Sequence, residues 1–141
     1  MVDEDDAKKL QGFRWHEHGG YACRTIGSGR RAKRECIHRV VTDAPAGVVV
    51  DHIDGDSLNN TKINLRVANK RQNMANTSKL KNNKSGLKGV VKRGKRYRSY
   101  IHDNGKTIYL GSFTTPEKAA CEYDKKAKAL FGEYARLNGT C

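Results

Sequence analysis

A chain of 141 residues has room for one ordinary domain or two small ones. With 36% hydrophobic residues it is too polar for one large core and suits two minimal cores joined by a linker. Its 28 Lys and Arg against 15 Asp and Glu give a formal net charge of +13, which implies a polyanionic partner. A membrane is excluded as that partner, because there is no basic amphipathic stripe and no apolar run of spanning or signal length. The expected location is the cytoplasm.

In chain order, residues 1–11 open with Asp3, Glu4, Asp5 and Asp6 and read as an acidic N-terminal tail or short helix. Short β-type runs follow at 13–16, 21–26 and 36–42, with Gly19-Gly20 as a hairpin signal. A basic loop carrying Arg30, Arg31, Lys33 and Arg34 lies between the last two runs. Pro45 and Gly47 break the chain before the strand Val48-Val49-Val50. That strand runs into Asp51-His52 and a loop of Asp, Gly, Ser and Asn. A return strand at 64–67 and a helix to about Ala75 complete the order strand, loop, strand, helix. Cys23, Cys36, Cys121 and Cys141 have no zinc-type spacing, so no structural zinc is expected and they read as ordinary thiols.

Asp51-His52 carries the chemistry. An Asp oxygen is a hard ligand suited to Mg²⁺. A neutral His has a pKa near the working pH and is suited to activating water. Neighbours on an extended strand point to opposite sides, so the strand must relax there for both to serve one phosphate. Asn64 and Asn73 follow on the return strand and the helix.

The segment Val50-Asp51-His52-Ile53-Asp54-Gly55-Asp56, with Leu58-Asn59-Asn60, Asn64-Leu65-Arg66 and Gln72-Asn73, resembles the HNH family. The likeness is to phage and intron-type homing endonucleases of the ββα-metal fold. Gly20-Tyr21 and His38-Arg39-Val40-Val41 share it. The resemblance implies His52 as general base, Asn64 orienting its imidazole, and Asp51 with Asn73 holding one Mg²⁺ or Mn²⁺. It implies cleavage or nicking of double-stranded DNA. Asn73 stands where the family name has its final His.

The second half has clearer signals. A strand at 90–91, a second at 97–102, the turn Asp103-Asn104-Gly105 and a third strand at 107–110 read as a three-stranded antiparallel sheet. Thr115-Pro116 starts a helix with an apolar stripe through Ala119, Tyr123, Ala127 and Phe131, and Gly132 stops it. Alternation sends Tyr97, Ser99, Ile101, Ile108 and Leu110 under the helix. It leaves Arg96, Arg98, Tyr100, His102, Thr107 and Tyr109 on an open basic and aromatic face, suited to a DNA groove.

The motifs Gly86-Leu87-Lys88-Gly89-Val90, Leu110-Gly111-Ser112-Phe113, Tyr123-Asp124 and Ala135-Arg136-Leu137-Asn138 resemble the APETALA/ethylene-response-factor type DNA-binding domain. By that resemblance Lys88, Lys92, Arg93, Arg96, Tyr100, His102 and Tyr109 would face DNA.

The expectation is thus an α+β chain: tail 1–11, nuclease domain 12–77, basic linker 78–84 and DNA-binding domain 85–138. The partner is double-stranded DNA, with no obligate protein partner evident and either a monomer or a dimer. A rival class is a non-catalytic DNA-binding regulator with a decayed nuclease module. An RNA- or ribosome-binding protein explains the charge but not the Asp-His pair.

Overall fold

The computed structural model describes residues 1–77 and 83–141. Contacts divide the chain into two compact units, Met1–Asn69 and Lys70–Cys141. Of the expected linker 78–84, residues 78–82 lie outside the described residues. The architecture is α+β, and no helix among the described residues is long and apolar enough to cross a membrane.

The first unit begins with helix α1 (Glu4–Leu10), where an acidic tail was one expectation. Leu10 enters the core. Asp6 is fully buried, and Lys9 and Lys62 each approach its carboxylate at 3.1 Å. A carboxylate removed from water needs such cations. Strands β1 (His16–His18), β2 (Tyr21–Ile26) and β3 (Lys33–Cys36) form an antiparallel sheet in that order. Gly19 and Gly20 both have positive φ, as a two-residue hairpin turn between β1 and β2 requires.

Three local expectations change. The strand expected at 13–16 begins only at His16, and Phe13 instead receives the Arg24 guanidinium, 3.7 Å from its ring centroid. The basic loop is a single 3₁₀ turn at Gly29–Arg31, and Lys33 and Arg34 lie within β3. Ile37–Thr42 is helix α2 rather than a strand. Its β-branched run favours a strand locally. However, Ile37, Val40 and Val41 fall at i, i+3 and i+4, and all three pack on the core with Leu10, Val50 and Leu65. Burying that one side outweighs the propensity.

Arg39 on α2 then ties down the next loop, donating to the carbonyls of Val48 (2.8 Å), Ala44 (3.2 Å) and Pro45 (2.6 Å). Strands β4 (Val49–His52) and β5 (Leu65–Ala68) pair antiparallel, with Asp51 opposite Arg66 and His52 opposite Leu65.

The second unit opens with helix α3 (Lys70–Ala75). The order β4, loop, β5, α3 is the expected ββα order. Strands β6 (Val90–Arg93), β7 (Arg96–Asp103) and β8 (Lys106–Phe113) form an antiparallel sheet in the order β6-β7-β8. Asn104 and Gly105, both at positive φ, make the β7–β8 turn. Helix α4 (Pro116–Phe131) starts where Thr115 accepts a hydrogen bond from the Lys118 N–H (3.4 Å), with Pro116 in its first turn.

The α4 stripe packs in two clusters. Ile101, Tyr123, Ala127 and Phe131 form one, joined by Ala75 of α3. Val90, Ala119 and Ala120 form the other, flanked by Leu87, Tyr97 and Phe113. Gly89 sits at φ +75°, and a Cβ there would lie 2.0 Å from the Tyr123 ring. Only glycine meets both demands.

Buried Asp124 fastens the end of the chain. It accepts hydrogen bonds from the backbone N–H of Asn138 (2.8 Å), Gly139 (3.0 Å) and Thr140 (3.3 Å). Asn138 in turn bridges to both backbone groups of Lys88.

The cysteines are not ordinary thiols. Cys23 pairs with Cys36 and Cys121 with Cys141 as disulfides. The β2–β3 register sets Cys23 directly opposite Cys36. The Asp124 clamp holds the residues just before Cys141 near α4, which carries Cys121. Sequence spacing shows neither proximity.

Candidate active site and nucleic-acid face

Asp51 and His52 end β4, and both are buried, at 5% and 6% exposure. Their side chains meet different partners. Asp51 Oδ2 accepts from Arg66 Nε at 2.9 Å, and Arg66 Nη2 lies 2.8 Å from the same oxygen. The imidazole of His52 meets Tyr21 from β2 and His38 from α2. Ring centroids are 6.1 Å apart for Tyr21 and His52, 5.4 Å for His38 and His52, and 5.2 Å for Tyr21 and His38. His52 Nε2 lies 3.2 Å from Asn60 Oδ1.

The loop from Asp54 to Asn64 is knotted by its own side chains. Asp54 Oδ1 accepts from the Asp56 N–H (2.8 Å) and from Asn64 Nδ2 (2.9 Å), and Asp54 Oδ2 accepts from Asn59 Nδ2 (2.7 Å). Asn64 also donates to the Asn59 carbonyl (2.8 Å) and accepts from the Asp54 N–H (3.0 Å). Asn64 therefore closes the loop. It is Asn60, which the sequence suggested only as a loop former, that brings its side chain into hydrogen-bond range of His52.

The charge states follow from these surroundings. Burial pushes the Asp54 carboxyl up. The hydrogen bonds from Asn59, the Asp56 N–H and Asn64, with the charge of His52, outweigh that and hold it below the usual carboxylate value. His38 is pushed down to about 4, first by burial and then by the positive charges of His52 and Arg39, so it is neutral at pH 7.

Asn73 lies on α3, in the second unit. Among the described residues no group of three or more His, Cys, Asp and Glu side chains gathers as a metal site. Mg²⁺ is commonly held by one or two protein oxygens together with substrate phosphates. A carboxylate at Asp51 and a carboxamide oxygen at Asn73 are of that kind.

On the second unit the expected face segregation holds. Ser99 and Ile101 are buried under α4, while Arg96, Arg98 and His102 are exposed and Tyr109 is 54% exposed. Tyr100 and Tyr109 stand together with ring centroids 5.3 Å apart. Arg96 is drawn across the sheet to Ser112, through Nε to Oγ (3.0 Å) and Nη2 to the carbonyl (2.7 Å). Thr107 Oγ1 lies 2.9 Å from His102 Nδ1. Arg93 pairs with Arg96 and Val91 with Arg98, which puts Arg93 on the same open face.

Lys92 and Lys88 are placed differently. Lys92 pairs with Tyr97, on the helix-side alternation, with Nζ 6.0 Å from that ring centroid. Lys88 donates to the Ala75 carbonyl (2.6 Å). Its ammonium is pushed down to about 8 by burial and by Arg136. In the first unit Arg30 and Arg31 are exposed on the 3₁₀ turn between β2 and β3.

A strand–loop–strand hairpin with a buried Asp-His pair at the end of its first strand, followed by a helix, defines a nuclease-type ββα module. A family model described as HNH endonuclease matches residues 37–75. An uncharacterized HNH endonuclease of Acanthamoeba polyphaga mimivirus is 39% identical over 94 residues, 67% of this chain and 49% of that protein. Protein 3.8 of Escherichia phage T7 is 36% identical over 95 residues, 66% of this chain and 78% of that protein.

The chain belongs to the HNH endonuclease family. It spans about half the length of the mimivirus relative. Dehydration-responsive element-binding protein 2A of Arabidopsis thaliana is 40% identical over 60 residues, 40% of this chain and 18% of that protein. The three strands and helix of the second unit share the topology of the APETALA/ethylene-response-factor type domain. No solved structure matches the chain.

Proposed function

We propose that this protein binds double-stranded DNA and cleaves or nicks it at a preferred site, as a phage or homing endonuclease. One observation carries the reading: buried His52 is held among Tyr21, His38 and Asn60, next to Asp51, at the end of a hairpin strand. Such a held imidazole serves as a general base, taking a proton from the attacking water. Asn64 keeps the loop between the two strands closed, so that the imidazole does not drift.

Asp51 and Asn73 are the ligands assigned to one Mg²⁺ or Mn²⁺. When bound, that ion supplies Lewis-acid stabilisation of charge developing on the phosphate. Arg93, Arg96, Arg98, Tyr100, His102 and Tyr109 form the proposed base- and phosphate-reading face, and Arg30 and Arg31 add phosphate contacts. Lys92 is exposed and joins them as a phosphate contact, and Lys88 is kept in the proposed face although its ammonium also donates to the Ala75 carbonyl. The functional domains proposed remain 12–77 and 85–138, joined by 78–84.

A second reading has one observation in its favour. The Asp51–Arg66 ion pair occupies a carboxylate oxygen that an ion would use, as in a DNA-binding regulator with a decayed nuclease module. Supercoiled plasmid separates the two. Relaxation with Mg²⁺, absent with EDTA and in His52→Ala, is expected of the nuclease. DNA binding with no nicking under Mg²⁺ or Mn²⁺ would establish the regulator.

A further inference from the structure

The carboxamide of Asn60 is 2% exposed and both its ends are engaged. Its Nδ2 donates to the Leu58 carbonyl at 3.1 Å. A carbonyl accepts only, so this bond settles which end of the amide is nitrogen. Oδ1 must then be the atom facing His52 Nε2, at 3.2 Å. The backbone is pinned as well, since the Asn60 N–H donates to the Met1 carbonyl at 2.8 Å. An amide oxygen only accepts, so the nitrogen opposite it must carry hydrogen. A neutral imidazole has a single N–H, and placing it on Nε2 leaves the lone pair on Nδ1. Tyr21 and His38 flank the same ring, His38 at 77° to its plane, so the imidazole has little freedom to turn over.

We infer that Asn60 is a positioning residue that fixes His52 as its Nε2–H tautomer. Asn64, which bonds to Asp54 and Asn59, sets the loop on which Asn60 stands rather than the ring itself. The inference rests on the reading of His52 as general base for its consequence, but not for its geometry. Outer partners that orient a metal-ligating His change activity by about 10–100-fold when removed, and a loss of the same order is expected here.

The test uses the full-length protein labelled with ¹⁵N in its five histidines, without metal or DNA, at a pH where the ring is neutral. His52 is assigned by the signal that disappears in His52→Gln. Long-range ¹H–¹⁵N correlation should show Nε2 as the protonated nitrogen and Nδ1 as the bare one. Asn60→Ala should give a tautomer mixture and, with Mg²⁺ and plasmid, a kcat lower by about 10–100-fold with KM for DNA within about twofold. Asn60→Asp keeps an acceptor opposite Nε2, so it should restore the single tautomer and part of kcat. Near-ultraviolet circular dichroism checks that both variants are folded.

A proton on Nδ1 in the unsubstituted protein overturns the inference, and that measurement needs no variant to fold. So does a folded Asn60→Ala with unchanged tautomer and kcat. If the protein cuts no DNA yet shows the Nε2–H form, the general-base reading fails and the assignment of Asn60 stands.

Discussion

The two units solve opposite problems with cores of similar modest size. In Met1–Asn69 the residues proposed for the chemistry are inside: Asp51, His52, Asn60 and Asn64 are all buried and polar. In Lys70–Cys141 the core is mainly apolar, with Ser99 and Asp124 also buried, and the residues proposed for recognition lie on the sheet face that α4 leaves uncovered. The difference follows from what each task needs. A general base works when its orientation is fixed before substrate arrives, which requires a desolvated network with its bonds satisfied. Contacts to phosphates and base edges need long side chains free to reach out of the fold. On the proposed reading, the general base lies among buried residues of the first unit and the recognition residues among exposed ones of the second.

The largest expected effect tests that division at its chemical end. His52→Ala should lower cleavage by about 10²–10⁴-fold, the usual share of a general base. DNA affinity by gel shift should stay within about twofold. A large loss of affinity would mean that His52 works through binding.

Gly89→Ala probes the packing of the second unit. It places a Cβ 2.0 Å from the Tyr123 ring on a backbone at φ +75°. Overpacking and left-handed strain together should cost about 2–4 kcal/mol, read by denaturant unfolding. The first unit's aromatic circular dichroism from Trp15 should change little if the units unfold separately.

Arg98→Ala removes an exposed cation from the open face. DNA binding should weaken by about 1–3 kcal/mol if it reads a base, while kcat at saturating DNA stays unchanged. If Arg98 touches only phosphate, the log–log salt dependence should flatten by about 0.9 for each phosphate no longer neutralised. Unchanged affinity and salt slope would break the assignment of this face.

The last effect is on stability against pH. An unfolded His38 takes up a proton below about 6.5, whereas the folded one resists until about 4. Its folded pKa is depressed, so its contribution is complete above 6.5, is lost as pH falls toward about 4, and then levels off. The unfolding midpoint should drop across that window, and His38→Gln should flatten the drop.

How far sequence reached depended on the range of the interaction. The turns at Gly19-Gly20 and Asn104-Gly105, the Thr115-Pro116 helix start and the two faces of β7 were legible. Each is decided by neighbours within a few residues or by strict alternation. The Asp51-His52 pair stood out because two residues of chemical use are adjacent.

Helix α2 was not legible: its β-branched residues prefer a strand, and only the core that receives Ile37 and Val41 makes it helical. The pairing of Cys23 with Cys36 and of Cys121 with Cys141 depended on a strand register and a buried carboxylate clamp. The hydrogen bond from the Lys88 ammonium depended on the Ala75 carbonyl being brought within reach. The closeness of Tyr21, His38 and Asn60 to His52 depended on bringing a strand, a helix and a loop to one imidazole. What is local and periodic in this protein was determined by its sequence alone. Which distant side chains become neighbours is decided when those pieces bury their surfaces against one another, because that contact energy exists only in the assembled fold.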